Sequence, residues 1–253
     1  MKVIWITGGS TGIGAATALK FAENNWKVVI SSRNLDKLNL VKEKIINKTK
    51  QSNVFSIKCD ISKKNEVINT INRIESEIGN INLALLNAAA YSPNKSQEFE
   101  IENFELLIDV NLKGTINCIY ALQNIMEKRK SGHIAIVSSP VGYRGLPTAA
   151  AYGSTKAALI NLAESLFFDF KKKSIKVSII NPGFIESEST KLNTFPMPFL
   201  KTSEFAANKI YQGLTKKYKF EIFFPTFFIY ILKFLRILPY RVYFFIIKKF
   251  TGL

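Results

Sequence analysis

Three side chains in SSPVGYRGLPTAAAYGSTKAAL have the types and spacing to move a proton: Ser139, Tyr152 and Lys156. Tyr152 and Lys156 are four apart in a stretch of helical character, so they share one face and the ammonium can lie beneath the phenol. A phenol titrates near ~10 in water, too high for exchange at neutral pH, and a fixed cation beside it lowers that value. Tyr152 is therefore a candidate acid or base. Ser139 ends the apolar run HIAIVSS and can hydrogen-bond a reacting oxygen. Ser138 doubles it, so by residue type alone either hydroxyl could act.

A second constellation lies near the start. After VIWI comes TGGSTGIGAAT, with Gly8, Gly12 and Gly14 in G-x-x-x-G-x-G spacing and Ser10, Thr11 and Ile13 between them. Glycines let a backbone turn tightly and approach a ligand, and the free N–H groups of a helix start attract pyrophosphate. A dinucleotide is the expected ligand. The end of the next apolar run, VVISSRN, chooses which one: it offers no acid for the ribose hydroxyls and supplies Arg33, a cation suited to a 2′-phosphate. NADP(H) is expected ahead of NAD(H).

These residues need elements to hold them. VIWIT, WKVVISS, NVFSIKCD, INLALLN, HIAIVSS and IKVSIIN have the composition of short buried strands. Between them, segments such as NLDKLNLVKEKIINKTK and KKNEVINTINRIESEIG repeat apolar residues every three or four positions. Strand and helix in alternation, with no polar linker or internal repeat, argue for one doubly wound α/β domain with a parallel sheet.

Composition sets the outer bounds. The chain has 253 residues, 47% of them hydrophobic, enough for a sizeable core. The formal charge of +16 would suit an anionic partner, but lysine is spread along a chain also rich in Ile, Asn and Phe, so charge alone decides little and no nucleic acid is expected. Cys59 and Cys118 lack metal spacing and are too few for a disulfide scaffold, which points to a reducing cytoplasm. MKVIWITGG runs straight into strand and turn, without the pattern of a signal peptide. The lone His133 reads as part of a polar turn, with no metal role, and Asp109 and Glu164 as helix-surface charges.

Taken in order, these motifs resemble those of the short-chain dehydrogenase/reductase family over roughly residues 2 to 225: TGGSTGIG, CDIS, DVNLKG, SS-x-x-G, YGSTK and NPGFIES. The resemblance implies a Rossmann-type sheet of seven parallel strands in the order 3-2-1-4-5-6-7, and homodimers or homotetramers built on two long central helices. It implies a carbonyl–alcohol oxidoreductase. Tyr152 would protonate the carbonyl oxygen, Ser139 would hold it, Lys156 would lower the phenol pKa and bond the nicotinamide ribose, and Asn111 would hold a water linking Lys156 to solvent. Asp60 and Ile61 would lie by the adenine, Asn87 and Ala88 by the adenosine ribose, and Pro182, Gly183 and Ile185 along the nicotinamide. Ser187 stands where Thr is commoner. One departure follows the fourth strand, where the family's N-N-A-G is Asn87, Ala88, Ala89, Ala90; a packing change is expected there rather than lost catalysis.

The segment FIESESTKLNTFPMPFLKTSEFAA would be the variable lid, and Phe195, Met197, Phe199 and Leu200 favour an apolar carbonyl or alcohol over a sugar. The catalytic domain is expected over 1–225. Beyond it, 226–253 is expected as a helical extension split at Pro239, too interrupted by Pro and cations to span a bilayer. Its apolar and basic composition fits peripheral contact with the inner face of a membrane through 226–250, a subunit interface or a cover for the cleft. A non-catalytic, cofactor-bound scaffold is the alternative function.

Overall fold

The computed structural model describes residues 1–92, 99–188, 190–193, 195–216 and 218–252. Seven strands form one parallel sheet in the order β3-β2-β1-β4-β5-β6-β7, as the resemblance implies. They are β1 (Val3–Thr7), β2 (Lys27–Ser32), β3 (Val54–Lys58), β4 (Ile81–Leu86), β5 (Gly132–Val137), β6 (Ile175–Pro182) and β7 (Glu221–Phe224). β1 pairs with β2 from Val3↔Lys27 to Thr7↔Ser31, and β5 with β6 from Gly132↔Ile175 to Val137↔Ile180. Alternate residues of each strand feed opposite faces, because side chains leave a strand with period two. Trp5, Val29, Ala84 and Ile134 join one buried cluster, while Ile4, Ile6, Val28 and Ile30 join the other.

Helices cover both faces: α1 (Gly12–Ala22), α2 (Leu35–Thr49), α3 (Lys64–Glu77), α4 (Ile101–Leu107), α5 (Gly114–Lys128), α6 (Ala150–Lys171) and α7 (Ser203–Thr215). A π-helical turn, Ile108–Lys113, joins α4 to α5. Parallel strands need such crossovers, and the crossovers bury both faces of the sheet. His133 follows the strand reading of HIAIVSS and not the reading of it as part of a polar turn. It lies within β5, buried, with Nε2 2.9 Å from Ser178 Oγ on β6. Burial first and then the Lys176 charge pull its pKa down to about 4, so the ring is neutral. Asp109 pairs with Lys113 on the surface, Glu164 is exposed, and Cys59 and Cys118 are free, buried thiols.

After β7 the chain forms two further helices, α8 (Thr226–Ile237) and α9 (Tyr240–Thr251), with Pro225 and Pro239 at their starts. Phe220 falls outside the last strand, which begins at Glu221. Ile229 of α8 is buried, and Phe228 and Leu232 pack beside it on the core. Arg144, from the segment after β5, donates Nη1 to Leu235 O at 2.7 Å and Leu238 O at 2.7 Å. Both carbonyls belong to the C-terminal end of α8, where Leu235 O also accepts Leu238 N at 3.4 Å, so a guanidinium completes the cap. The same guanidinium lies over the rings of Tyr240 and Tyr243 at 4.8 and 4.0 Å, and Tyr243 OH donates to Gly145 O.

Candidate active site

The strand ends and the loops that follow them gather the site. The first loop is the β1–α1 turn. Gly8 and Gly12 have positive φ, +66° and +52°, and a side chain at Gly14 would put its Cβ 2.2 Å from Gly8 O. The turn can close only around glycine there. Thr11 is the N-cap residue of α1 but makes no side-chain cap bond, and the first turn of the helix holds no acid. Ser10, Thr11 and Ile13 are partly exposed, so this helix start keeps the donors and positive end that suit a pyrophosphate.

Asn87 locks that turn from the end of β4. Its Nδ2 donates to Thr7 O and Gly8 O, each at 3.1 Å, and the backbone N–H groups of Asn87 and Ala88 both donate to Thr7 Oγ1 at 3.0 Å. The Asn87–Ala90 departure therefore keeps its structural task. Thr7 had no signal in the sequence beyond ending a strand. Arg33 follows β2 and is exposed. Asp60 Oδ1 accepts from Ser62 N at 3.0 Å and Ser62 Oγ at 2.8 Å, closing its own turn. Ile61 is buried against Gly114 in the core, so its side chain is not offered to a ligand.

The second half of the site is built on β5 and α6. The two serines separate. Ser138 Oγ is buried and donates to Lys156 O at 2.8 Å, whereas Ser139 Oγ accepts from Val141 N at 3.4 Å and lies close enough to Tyr152 to draw the phenol pKa down. Alternation along the strand end makes Ser139 the hydroxyl of the site and Ser138 a tether for α6. At Gly142 a Cβ would come within 2.6 Å of Lys156 C, so glycine alone lets the turn after Ser139 close on the helix.

Lys156 is 2% exposed and donates Nζ to Val137 O at 3.0 Å. Its ammonium lies 5.4 Å from the Tyr152 ring. Burial brings the Lys156 pKa down to about 8. The phenol does not follow the expectation drawn from spacing. Burial holds Tyr152 above its ordinary value, the neighbouring Tyr91 adds to the rise, and the Ser139 hydrogen bond offsets part of it. Desolvation is the largest of these effects.

Asn111 sits in the π-helical turn, buried, gripping the segment after β4: Oδ1 accepts from Ala90 N at 2.7 Å and Nδ2 donates to Ala90 O at 3.1 Å. Nδ2 also lies 3.3 Å from Thr155 Oγ1. The side chain is thus committed, and its main-chain carbonyl accepts Thr115 Oγ1 at 2.7 Å. Tyr91 was invisible to spacing arguments. Its ring meets Tyr152 edge-on at 4.9 Å, and its OH donates to Asn193 Oδ1 at 2.5 Å on the lid side.

The loop after β6 closes the picture. Gly183 N donates to Phe224 O at 2.7 Å, Pro182 and Ile185 are buried, and Ser187 approaches Gly12. Phe195, Phe199 and Leu200 of the lid are exposed, and Phe199 meets Phe227 edge-on and Phe228 at a tilt, each about 6 Å between ring centres. Ser189 and Thr194 of the lid lie outside the described residues. Among the described residues no three His, Cys, Asp or Glu side chains converge as metal ligands.

A doubly wound sheet with a glycine-lined helix start at one strand end and a Ser-Tyr-Lys set two strands away defines a dinucleotide-dependent enzyme fold. Residues 2–195 match the family model described as short chain dehydrogenase, and the chain belongs to that family of oxidoreductases. An uncharacterized oxidoreductase of Myxococcus xanthus (strain DK1622) is 31% identical over 211 residues, 83% of each chain. Another, of Staphylococcus epidermidis (strain ATCC 35984), is 29% identical over 77% of this chain and 82% of its own. Among solved structures, ElxO with NADP bound superposes with a TM-score of 0.79 at 28% identity, covering 88% of this chain and 97% of ElxO. A short-chain dehydrogenase from Sphingobium yanoikuyae in complex with NADPH shares the fold, with a TM-score of 0.80 at 20% identity over 89% of each chain.

Proposed function

We propose that this protein is an NADP(H)-dependent reductase that interconverts a carbonyl and a secondary or primary alcohol on an apolar substrate. The observation that carries the reading is the meeting of Ser139, Tyr152 and Lys156 at the start of α6, where the turn after Ser139 closes on Lys156. The residues fit the cofactor: the β1–α1 cradle with Asn87 and Ala88 would hold its phosphates and adenosine ribose, Asp60 its adenine side, Arg33 a 2′-phosphate, and Lys156, Pro182, Gly183 and Ile185 its nicotinamide end. Bound there, NADPH supplies a hydride to the carbonyl carbon. Ser139 Oγ donates to the carbonyl oxygen and Tyr152 gives that oxygen its proton; in the reverse direction the phenol takes it back. A water on the Asn111 carbonyl would return a proton to Lys156 from solvent.

NADP(H) preference is supported by Arg33, by the lack of an acid at the end of β2, and by the NADP in ElxO. It favours reduction as the working direction. Exposed Ile116 and Tyr120 on α5 and Phe168 on α6 support a homodimer or homotetramer through those helices. Two unpaired, buried cysteines support a cytoplasmic setting. The test is NADPH oxidation over a panel of apolar ketones and aldehydes. Consumption on at least one is expected, and Arg33→Ala should raise the KM for NADPH by about 10- to 100-fold with NADH unaffected. No consumption on any of them would favour the non-catalytic scaffold.

A further inference from the structure

The surface that the reductase reading leaves without a task is the outer side of α8 and α9. Their inner side is occupied, by Phe228, Ile229 and Leu232 on the core and by Tyr243 beneath Arg144. Outward, Phe227, Tyr230, Ile231, Phe234 and Ile237 recur at i, i+3, i+4, i+7 and i+10, and all are exposed, Phe227 at 68% and Ile237 at 76%. That is one helical face without a cover. On α9, exposed Arg241, Lys248 and Lys249 surround exposed Phe245.

Charge selects the occupant. Between residues 222 and 253 the sequence has Lys233, Arg236, Arg241, Lys248 and Lys249 and no Asp or Glu. Lys233 is engaged by Glu221; the other four are exposed. A second copy on this face would set the exposed Arg241, Lys248 and Lys249 against the same three cations, a like-charge contact. An acidic lipid surface supplies the missing sign and accepts aromatic side chains at headgroup depth. Each helix has 12 residues, and no described helix is long and apolar enough to cross a membrane, so the contact would be along the surface.

We propose that α8–α9 is a platform that docks the protein on an anionic bilayer surface, with the Phe227–Ile237 stripe in the headgroup boundary and Arg241, Lys248 and Lys249 on lipid phosphates. Arg144 fixes this platform to the segment that follows Ser139. The edge-on and tilted contacts of Phe199 with Phe227 and Phe228 make the lid continuous with it, which gives an apolar substrate a route from lipid to site. The docking rests on surface chemistry alone and stands apart from the reductase reading.

The test is co-sedimentation of the full chain with phosphatidylcholine vesicles, with and without phosphatidylglycerol, read alongside light scattering of the free protein. Binding is expected to need phosphatidylglycerol and to weaken with salt. The triple variant Arg241→Gln, Lys248→Gln, Lys249→Gln should lose affinity on the order of 100-fold. Phe227→Ser with Phe234→Ser should also lose binding, with thermal unfolding of the free protein unchanged. No sedimentation with either vesicle, or full binding by the triple variant, would overturn the proposal. So would a dimer that the two Phe→Ser changes dissolve, because a second copy would then be the occupant.

Discussion

Helices α6 and α8 both lie against the last strands and both are rich in apolar residues, yet they treat their side chains in opposite ways. Along its 22 residues, α6 buries Thr155 and Lys156 with its apolar face, and both polar groups have partners: Thr155 Oγ1 donates to Tyr152 O, and Lys156 Nζ to Val137 O. α8 buries only Ile229 and leaves five large apolar side chains in solvent. The difference teaches where each region's chemistry comes from. In the site, removal from water brings Lys156 to about 8 and holds Tyr152 high. On α8 and α9, contact with water leaves cations and aromatics free for another surface.

The strongest way to test the buried half is Tyr152→Phe, which keeps the ring against Tyr91 and removes the transferable proton. Turnover should fall by about 10³-fold, ~4 kcal/mol of barrier, while NADPH fluorescence titration stays unchanged. Retained turnover would sever burial from chemistry.

Lys156 sharpens the same half through pH. Its folded pKa of about 8 lies below the ordinary lysine value of 10.5, so between those values the unfolded chain binds more protons and stability rises with pH. Urea unfolding between pH 8 and pH 10 should show a gain of about 2–3 kcal/mol, and Lys156→Met should abolish that slope. An unchanged slope would mean that the buried ammonium is not its source.

Arg144 joins the two regions, and its loss should cost less. Arg144→Ala removes the cap on Leu235 and Leu238 and the cation above Tyr240 and Tyr243. Hydrogen exchange on α9 should report a loss of about 2 kcal/mol of local stability, with β1 to β5 unaffected. Smallest of all, Phe245→Ser on the exposed face should move the unfolding free energy by less than about 0.5 kcal/mol. A larger loss would mean that this face is covered in solution and would break the contrast with α6.

Glu221 shows how far the regions depend on each other. Burial alone would push its carboxyl up, but Lys233, Tyr143 and Asn181 hold it below its usual value. Its Oε1 accepts from Tyr143 OH at 2.6 Å and from Asn181 Nδ2 at 3.0 Å. The last strand, the turn after Ser139 and the first tail helix therefore meet on one carboxylate.

Much of the site was legible because it is written in short spacings. Gly8, Gly12 and Gly14 share one turn, and Tyr152 and Lys156 share one helix face, so type and interval nearly specify their relation. The breaks at Pro225 and Pro239 were legible for the same reason. Tyr91, Thr7 and Arg144 were not, since each acts on a partner roughly 60 to 100 positions away. His133 was misplaced because the polar residues before it read as a turn, while pairing with Lys176 on β6 draws it into β5.

By itself the sequence determined the alternation of strands and helices, the cradle glycines, the order of the motifs and the sign of the tail's charge, all properties of neighbours along the chain. Only the tertiary structure decided that Ser138 turns away to tether α6, that burial holds the phenol above its ordinary value, and that one face of α8 stays exposed. The reason is physical: desolvation and cover are sums over atoms from many distant segments, and no local interval encodes them.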